Sequence, residues 1–219
     1  MIRDRIKTEE YFQKSFEWYS QCLQEDIEDF KKEKPKDLMA HFRFMVINYE
    51  NLFKVGYSIG KDVQELFPYY KGLLSDLKKI ASEGVPFYRA VDIFALGVLY
   101  SDRKEEFLDD LKAIYEQMDH TDGLIKYYMT YLFHDMIVPF HSILEYQNMI
   151  EDTYESVAKA QGFWYYSHSD APWYNNYTKD TYVGYWSFDT AATCKIKGIY
   201  DERLKELEYF PYDLLLQEK

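Results

Sequence analysis

From Thr8 to Lys32 the apolar residues Phe12, Phe16, Tyr19, Leu23, Ile27 and Phe30 recur at intervals of 4, 3, 4, 4 and 3, while Glu9, Glu17, Glu25, Glu28 and Asp29 fall mostly elsewhere. That spacing predicts a helix with one apolar face. The stretch "EKPKDLMAH" interrupts it at Pro35, and a second stripe of Leu38, Phe42, Met45, Tyr49, Leu52 and Phe53 runs to "GYSIG". A third stripe carries Val63, Leu66, Phe67, Tyr70, Leu73, Leu74, Leu77 and Ile80. Pro68 inside it either kinks this helix or marks a later start.

After Pro86 the pattern changes. "FYRAVDIFALGVLY" is apolar nearly all round, which predicts a central helix covered by others. Asp102 to Met118 returns to two faces, with Phe107, Leu108, Leu111, Ile114, Tyr115 and Met118 inward and acids outward. Thr121 or Asp122 caps a further helix that runs to Pro139, and another is expected over roughly 140–160, stopping at Gly162. No strand pattern and no exact repeat stands out. The expectation is an all-α array of about eight or nine mostly antiparallel helices. A division at 1–119 and 120–219 fits the pattern, within one continuous compact fold. The segment 162–186 is too rich in Asn, Asp, Ser, Thr and Pro for helix and too aromatic for solvent. It predicts an aromatic-rich packed loop before the C-terminal helices.

Charge adds a functional constraint. Against 26 Lys and Arg stand 38 Asp and Glu, a formal charge of −12. A nucleic-acid binder draws its affinity from cations on phosphates, so no nucleic-acid partner is expected. An acidic excess keeps a Tyr-rich surface soluble, and it also speeds encounter with a basic partner. No apolar run reaches the 18–20 residues or so that span a bilayer, and no apolar stretch follows the charged start, so neither membrane nor secretion is expected. Cys22 and Cys194 stand far apart and read as buried thiols of a reducing compartment, the cytoplasm.

Candidate chemistry is thin. "FHDMIVPFHSILE" gathers His134, Asp135, His141 and Glu145, but Pro139 separates His134 from the face that His141 and Glu145 share. HExxH, paired CxxC, glycine-rich phosphate loops and GxSxG are all missing, so no cofactor, no metal and no catalytic residue is assigned. A metal-dependent hydrolase around His134, His141 and Glu145 is the weakest reading. The acids Asp102, Glu105, Glu106, Asp109, Asp110, Glu116 and Asp119 lie largely on the polar side of one predicted helix. Like charges at i, i+4 repel by a few tenths of a kcal/mol. Such a face is either plainly solvated or matched to a basic partner, and a helical scaffold or regulator of a basic protein would use it.

The C-terminal third carries a resemblance. "DAPWYNNYTKDTYVGYWSFDTAATCKIKGIYDERLKELEYFPYDLL" is similar to the PoNi immunity proteins, helical proteins that neutralise PoNe-type DNase toxins in interbacterial competition. The elements are Tyr182-Val-Gly-Tyr-Trp-Ser-Phe-Asp189, then Ala191 and Ala192, then Gly198 to Asp201, and Phe210-Pro-Tyr-Asp-Leu214. Asp189 stands where Glu is commoner in the family, and Phe210 where Tyr is commoner. The opening "TEEYFQKSFEWYSQCLQ" also resembles the family's first helix.

The resemblance implies a non-enzymatic immunity protein whose partner is a cognate polymorphic toxin, a basic nuclease domain. The acids at Asp102, Glu105, Glu106, Asp109, Asp110 and Glu116 are the candidate toxin-binding face, with Tyr174 and Tyr177 as candidate anchors. The motif itself reads as structural. Ser187 is placed to cap the helix of Ala191 and Ala192, with Asp189 in its first turn, and Gly184 permits a positive φ. Tyr182, Tyr185, Trp186 and Phe188 are expected to bury their rings, with Pro211, Tyr212 and Asp213 closing the chain. The aromatic excess also suits a homodimer seam.

Overall fold

The computed structural model describes residues 2–119 and 122–216, and it is all-α, with no strand among the described residues. Among the described residues nine α-helices form: α1 Glu9–Lys32, α2 Leu38–Ile59, α3 Val63–Leu77, α4 Phe87–Leu99, α5 Leu108–Glu116, α6 Gly123–His134, α7 Tyr154–Trp164, α8 Phe188–Lys197 and α9 Tyr212–Leu215. The chain divides into two compact units, one of 1–84, 109–118 and 176–185, the other of 85–108, 119–175 and 186–219.

In the first unit α1, α2 and α3 pack in sequence, joined by short loops. Each start is capped by a side-chain oxygen: Thr8 accepts from the Tyr11 amide, Asp37 from Ala40, and Asp62 from Gln64. Phe12, Tyr19 and Leu23 of the first stripe are buried, whereas Phe16, Ile27 and Phe30 are half-buried and Leu38 is exposed. Asp62 fixes the start of α3 ahead of Pro68, so the proline sits inside the helix and does not begin it. The N-terminal segment is clamped to this unit. The Arg3 guanidinium donates to the carbonyls of Tyr57 and Lys61 at 2.9 and 2.8 Å and lies over the Tyr57 ring.

The second unit is built on α4, which packs against α6 and α8. From Val91 to Leu99 every α4 residue except Asp92 is buried, as its all-round apolar pattern predicts. In α8 every residue from Phe188 to Ile196 is buried, including Lys195. The Lys195 ammonium donates to the Leu99 carbonyl at 2.7 Å, which satisfies an end carbonyl of α4 with a cation where the helix dipole favours one.

Three expected helices differ from those observed. The helix over 102–118 is two pieces: a 3-10 segment, Ser101–Glu106, and α5, separated at Phe107 with φ −141 and ψ −10. Phe107 is buried, and the break lets the chain turn that ring inward. The helix to Pro139 stops at His134, where Asp135 takes the left-handed conformation. The residues beyond are Ile137, Val138 and Pro139, two β-branched and the second constrained by the proline after it, a poor continuation for a helix. The helix over 140–160 begins only at Tyr154, capped by Thr153. Upstream, Ser142 and Asn148 satisfy each other: the Ser142 amide donates to Asn148 Oδ1 at 2.9 Å, and Asn148 Nδ2 donates to the Ser142 carbonyl at 2.8 Å. Such local side-chain bonds compete with helix. Asp122 caps α6; Thr121, the alternative cap, lies outside the described residues.

The non-helical strap 135–144 therefore joins α6 to the segment before α7. It passes directly over the start of α6, where a Cβ on Gly123 would overlap the carbonyl oxygen of His141. Gly123→Ala should lower stability by about 1–3 kcal/mol through this clash, despite alanine's better helix propensity. Urea denaturation checks it: an unchanged midpoint would show that the strap yields without cost.

Candidate partner-binding surface

The predicted acidic residues fall on both units. On the second, Asp102, Glu105 and Glu106 are exposed along the 3-10 segment, and Glu106 accepts from Arg103 Nε at 2.8 Å. On the first, Asp109 and Glu116 are exposed on α5, while half-buried Asp110 pairs with Lys78 and Glu116 lies 4.0 Å from Lys112. Asp102, Glu105 and Asp109 thus present carboxylates that no lysine or arginine of the described residues pairs with. Tyr174 belongs to the second unit, half-buried with its ring 4.7 Å from that of Tyr165. Tyr177 belongs to the first unit and is exposed, and its amide donates to the Tyr185 hydroxyl at 3.1 Å.

The aromatic motif divides in the same way. Tyr182 and Tyr185 are buried in the first unit with ring centroids 4.8 Å apart. The Tyr182 hydroxyl donates to Asp4 Oδ2 at 2.6 Å, and the Val183 carbonyl accepts from Ser58 at 3.0 Å. Gly184 between them has φ +108, a conformation that a side chain would resist. Trp186, Ser187, Phe188 and Asp189 belong to the second unit, and of these Trp186 is only half-buried. Tyr182 and Tyr185 thus belong to the first unit, and Trp186 and Phe188 to the second.

Ser187 stands at the N-cap position of α8, but its side chain makes no capping bond. Its hydroxyl donates instead to Gln161 Oε1 and to the Tyr209 carbonyl, both at 3.0 Å. Tyr209, at φ +62, turns that carbonyl to receive the Ser187 amide as well, at 2.9 Å. Pro211 is buried at the start of α9, Tyr212 is half-buried and Asp213 exposed.

Asp189 is the polar centre of this unit. Its Oδ1 accepts from Trp164 Nε1 at 3.1 Å; its Oδ2 accepts from Gln147 Nε2 at 2.7 Å and from the Tyr146 hydroxyl. Tyr128 donates to the Asp189 carbonyl at 2.8 Å, and Gln147 Oε1 accepts from Thr193 at 2.9 Å. Burial, then the charge of Asp189, push the Tyr128 and Tyr146 hydroxyls well above the usual tyrosine range. These groups are enclosed, and every one has a partner, so the network holds structure. Trp164, Gln147 and Tyr146 carried no sequence signal, because their role depends on meeting one carboxyl from a distant helix.

Around His134, Asp135, His141 and Glu145, Asp135 pairs with Lys104 at 2.8 Å. Among the described residues no three His, Cys, Asp or Glu side chains assemble as a metal site. Cys22 is half-buried and Cys194 buried, both as thiols, and burial raises the pKa of each. No helix of the described residues is long and apolar enough to cross a membrane.

Two family models match this chain in order. "PoNe immunity protein (PoNi), N-terminal" covers residues 3–113, and "PoNe immunity proteins (PoNi), C-terminal" covers 140–214. No curated protein and no solved structure matches.

Asp189→Asn leaves one acceptor oxygen where two are in use. It should cost about 1–3 kcal/mol for each donor left without a partner, read from the denaturation midpoint. Trp164→Ala should cost about 3–5 kcal/mol, and half-buried Trp186→Ala clearly less; equal losses would mean that Trp186 carries more of the core than its exposure indicates.

Proposed function

The chain belongs to the PoNe immunity protein (PoNi) family, and from that premise we propose that it binds a PoNe-type DNase toxin and blocks it without chemistry of its own. The observation that carries this reading is the pair of family matches, which run in order over residues 3–113 and 140–214. The acidic surface supports it. A DNase must present cations to the phosphates it holds, and a folded protein bearing carboxylates competes for that surface.

Electrostatics and packing divide the work. The net charge of −12 steers encounter, and steered association reaches about 10⁸–10⁹ M⁻¹s⁻¹ at low salt. The exposed carboxylates of Asp102, Glu105 and Asp109 contribute most, because no lysine or arginine of the described residues pairs with them. Glu106, Asp110 and Glu116 contribute less, each lying beside a cation of its own unit. Durable protection also needs a slow off-rate, which desolvated apolar anchors supply. The site of action is the cytoplasm, where the toxin would meet its DNA target.

Co-expression with a PoNe-type DNase domain should rescue growth, and the two should co-purify; cell death at equal expression would overturn the reading. Replacing Asp102, Glu105 and Asp109 with Lys should slow association at least tenfold at low salt. Helicity and melting should stay unchanged, and the difference should shrink as salt is added. An association rate equal to that of the native protein would remove these three residues from the steering surface.

A further inference from the structure

The strap 135–144 has three properties that helix packing does not explain. It exposes the aliphatic side chains of Met136, Ile137 and Ile143 at 54, 64 and 73 %. Single exposed apolar residues are ordinary, but three on one ten-residue irregular segment form a patch. It is also held firmly at both ends. Asp135 is tied to Lys104, whose ammonium also reaches the Leu132 carbonyl at 3.3 Å. At the other end Asp122 accepts from the Ile143 amide at 3.0 Å and from the Ser142 hydroxyl at 3.2 Å. Between these ties the backbone of 136–141 makes no hydrogen bond among the described residues. Within this stretch Phe140 stacks on Tyr127 with centroids 4.5 Å apart.

Beside the strap lies a cavity of about 440 Å³, walled by Tyr127, Val138, Pro139, Phe140, Ile150 and Lys197. Tyr127 is only 1 % exposed, with its ring against Phe140, so the cavity offers an aromatic and aliphatic wall to a side chain of a partner. The surroundings set the charge of that partner. The segments 101–106 and 135–152 together carry Asp102, Glu105, Glu106, Asp135, Glu145, Glu151 and Asp152 against Arg103 and Lys104. Both cations, and Lys197 in the cavity wall, already pair internally.

We propose that the strap and its cavity are the docking site for the toxin: an apolar side chain of the partner enters the cavity, while flanking lysines or arginines meet the surrounding carboxylates. This rests on the proposed immunity function and adds where binding energy is gained. The strap is held in its bound shape beforehand, so little ordering entropy is lost on association. Its unpaired backbone groups can bond an extended segment of the partner in the same way that a sheet edge does. The apolar anchor sets the off-rate, and the carboxylates set the on-rate.

The test uses the full chain and a catalytically inactivated PoNe-type DNase domain, with association and dissociation rates measured at a sensor surface. Truncating Met136, Ile137 and Ile143 together to Ser should leave melting unchanged. It should raise the dissociation rate at least tenfold, with the association rate within about twofold of native. If the native chain binds and the Ser variant dissociates at the native rate, the docking site is overturned and the immunity reading stands. If the native chain does not bind the domain, both fall. If the native chain is a dimer by light scattering, and the Ser variant is monomeric with native toxin kinetics, the strap is a seam between copies and the proposal is overturned.

Discussion

One buried carboxyl organises the second unit. Asp189 sits in the first turn of a helix whose every residue through Ile196 is enclosed, and its two oxygens gather donors from Trp164, Tyr146 and Gln147. Three separate stretches of chain must converge within hydrogen-bond distance, or several buried polar groups are stranded at once. That requirement fixes the seat of α8 against α7 and the segment before it. Lys195 on the same helix fixes α8 against the end of α4 through the Leu99 carbonyl. A helix with one acidic and one basic residue in its core is tolerated because both are satisfied by geometry that no other packing would supply.

The same economy explains the surface. Many cations of the described residues are engaged inside the protein: Lys195 on a helix end, Lys78 on Asp110, Arg103 on Glu106, Lys104 on Asp135 and Lys197 on Asp152. Few lysines and arginines remain in those regions to offset neighbouring carboxylates. Each such pair also engages a carboxylate, so the excess of 38 acids over 26 bases persists in the folded protein. The proposed binding of a basic partner would draw on this acidic excess.

The strap shows how an irregular segment is made rigid. Its ends are tied by Asp135–Lys104 and by Asp122, its middle is pinned by Phe140 on Tyr127, and it lies tightly over Gly123. A loop held at three points can present apolar side chains to solvent without collapsing onto the body of the protein. Rigidity of this kind separates a binding surface from a loose connection.

Local chemistry made much of the fold legible in the sequence. The stripe of Phe12, Tyr19 and Leu23, the caps at Thr8, Asp37, Asp62 and Asp122, and the all-round apolar run after Pro86 each act within a few residues of themselves, so their outcome is written where they stand. The left-handed turn at Gly184 is equally local. What only the tertiary structure decided depends on meetings across long separations. Ser187 was free to cap α8 until Gln161 and the Tyr209 carbonyl offered its hydroxyl better partners. The acidic stretch from Asp102 to Glu116 had helical spacing until burial of Phe107 broke it in two. Tyr127 meets the Phe140 ring only because the strap crosses it. Periodicity records which face of an element is apolar; it carries no information about which distant group arrives there, because hydrogen bonds and ring contacts are settled by three-dimensional proximity and not by spacing along the chain.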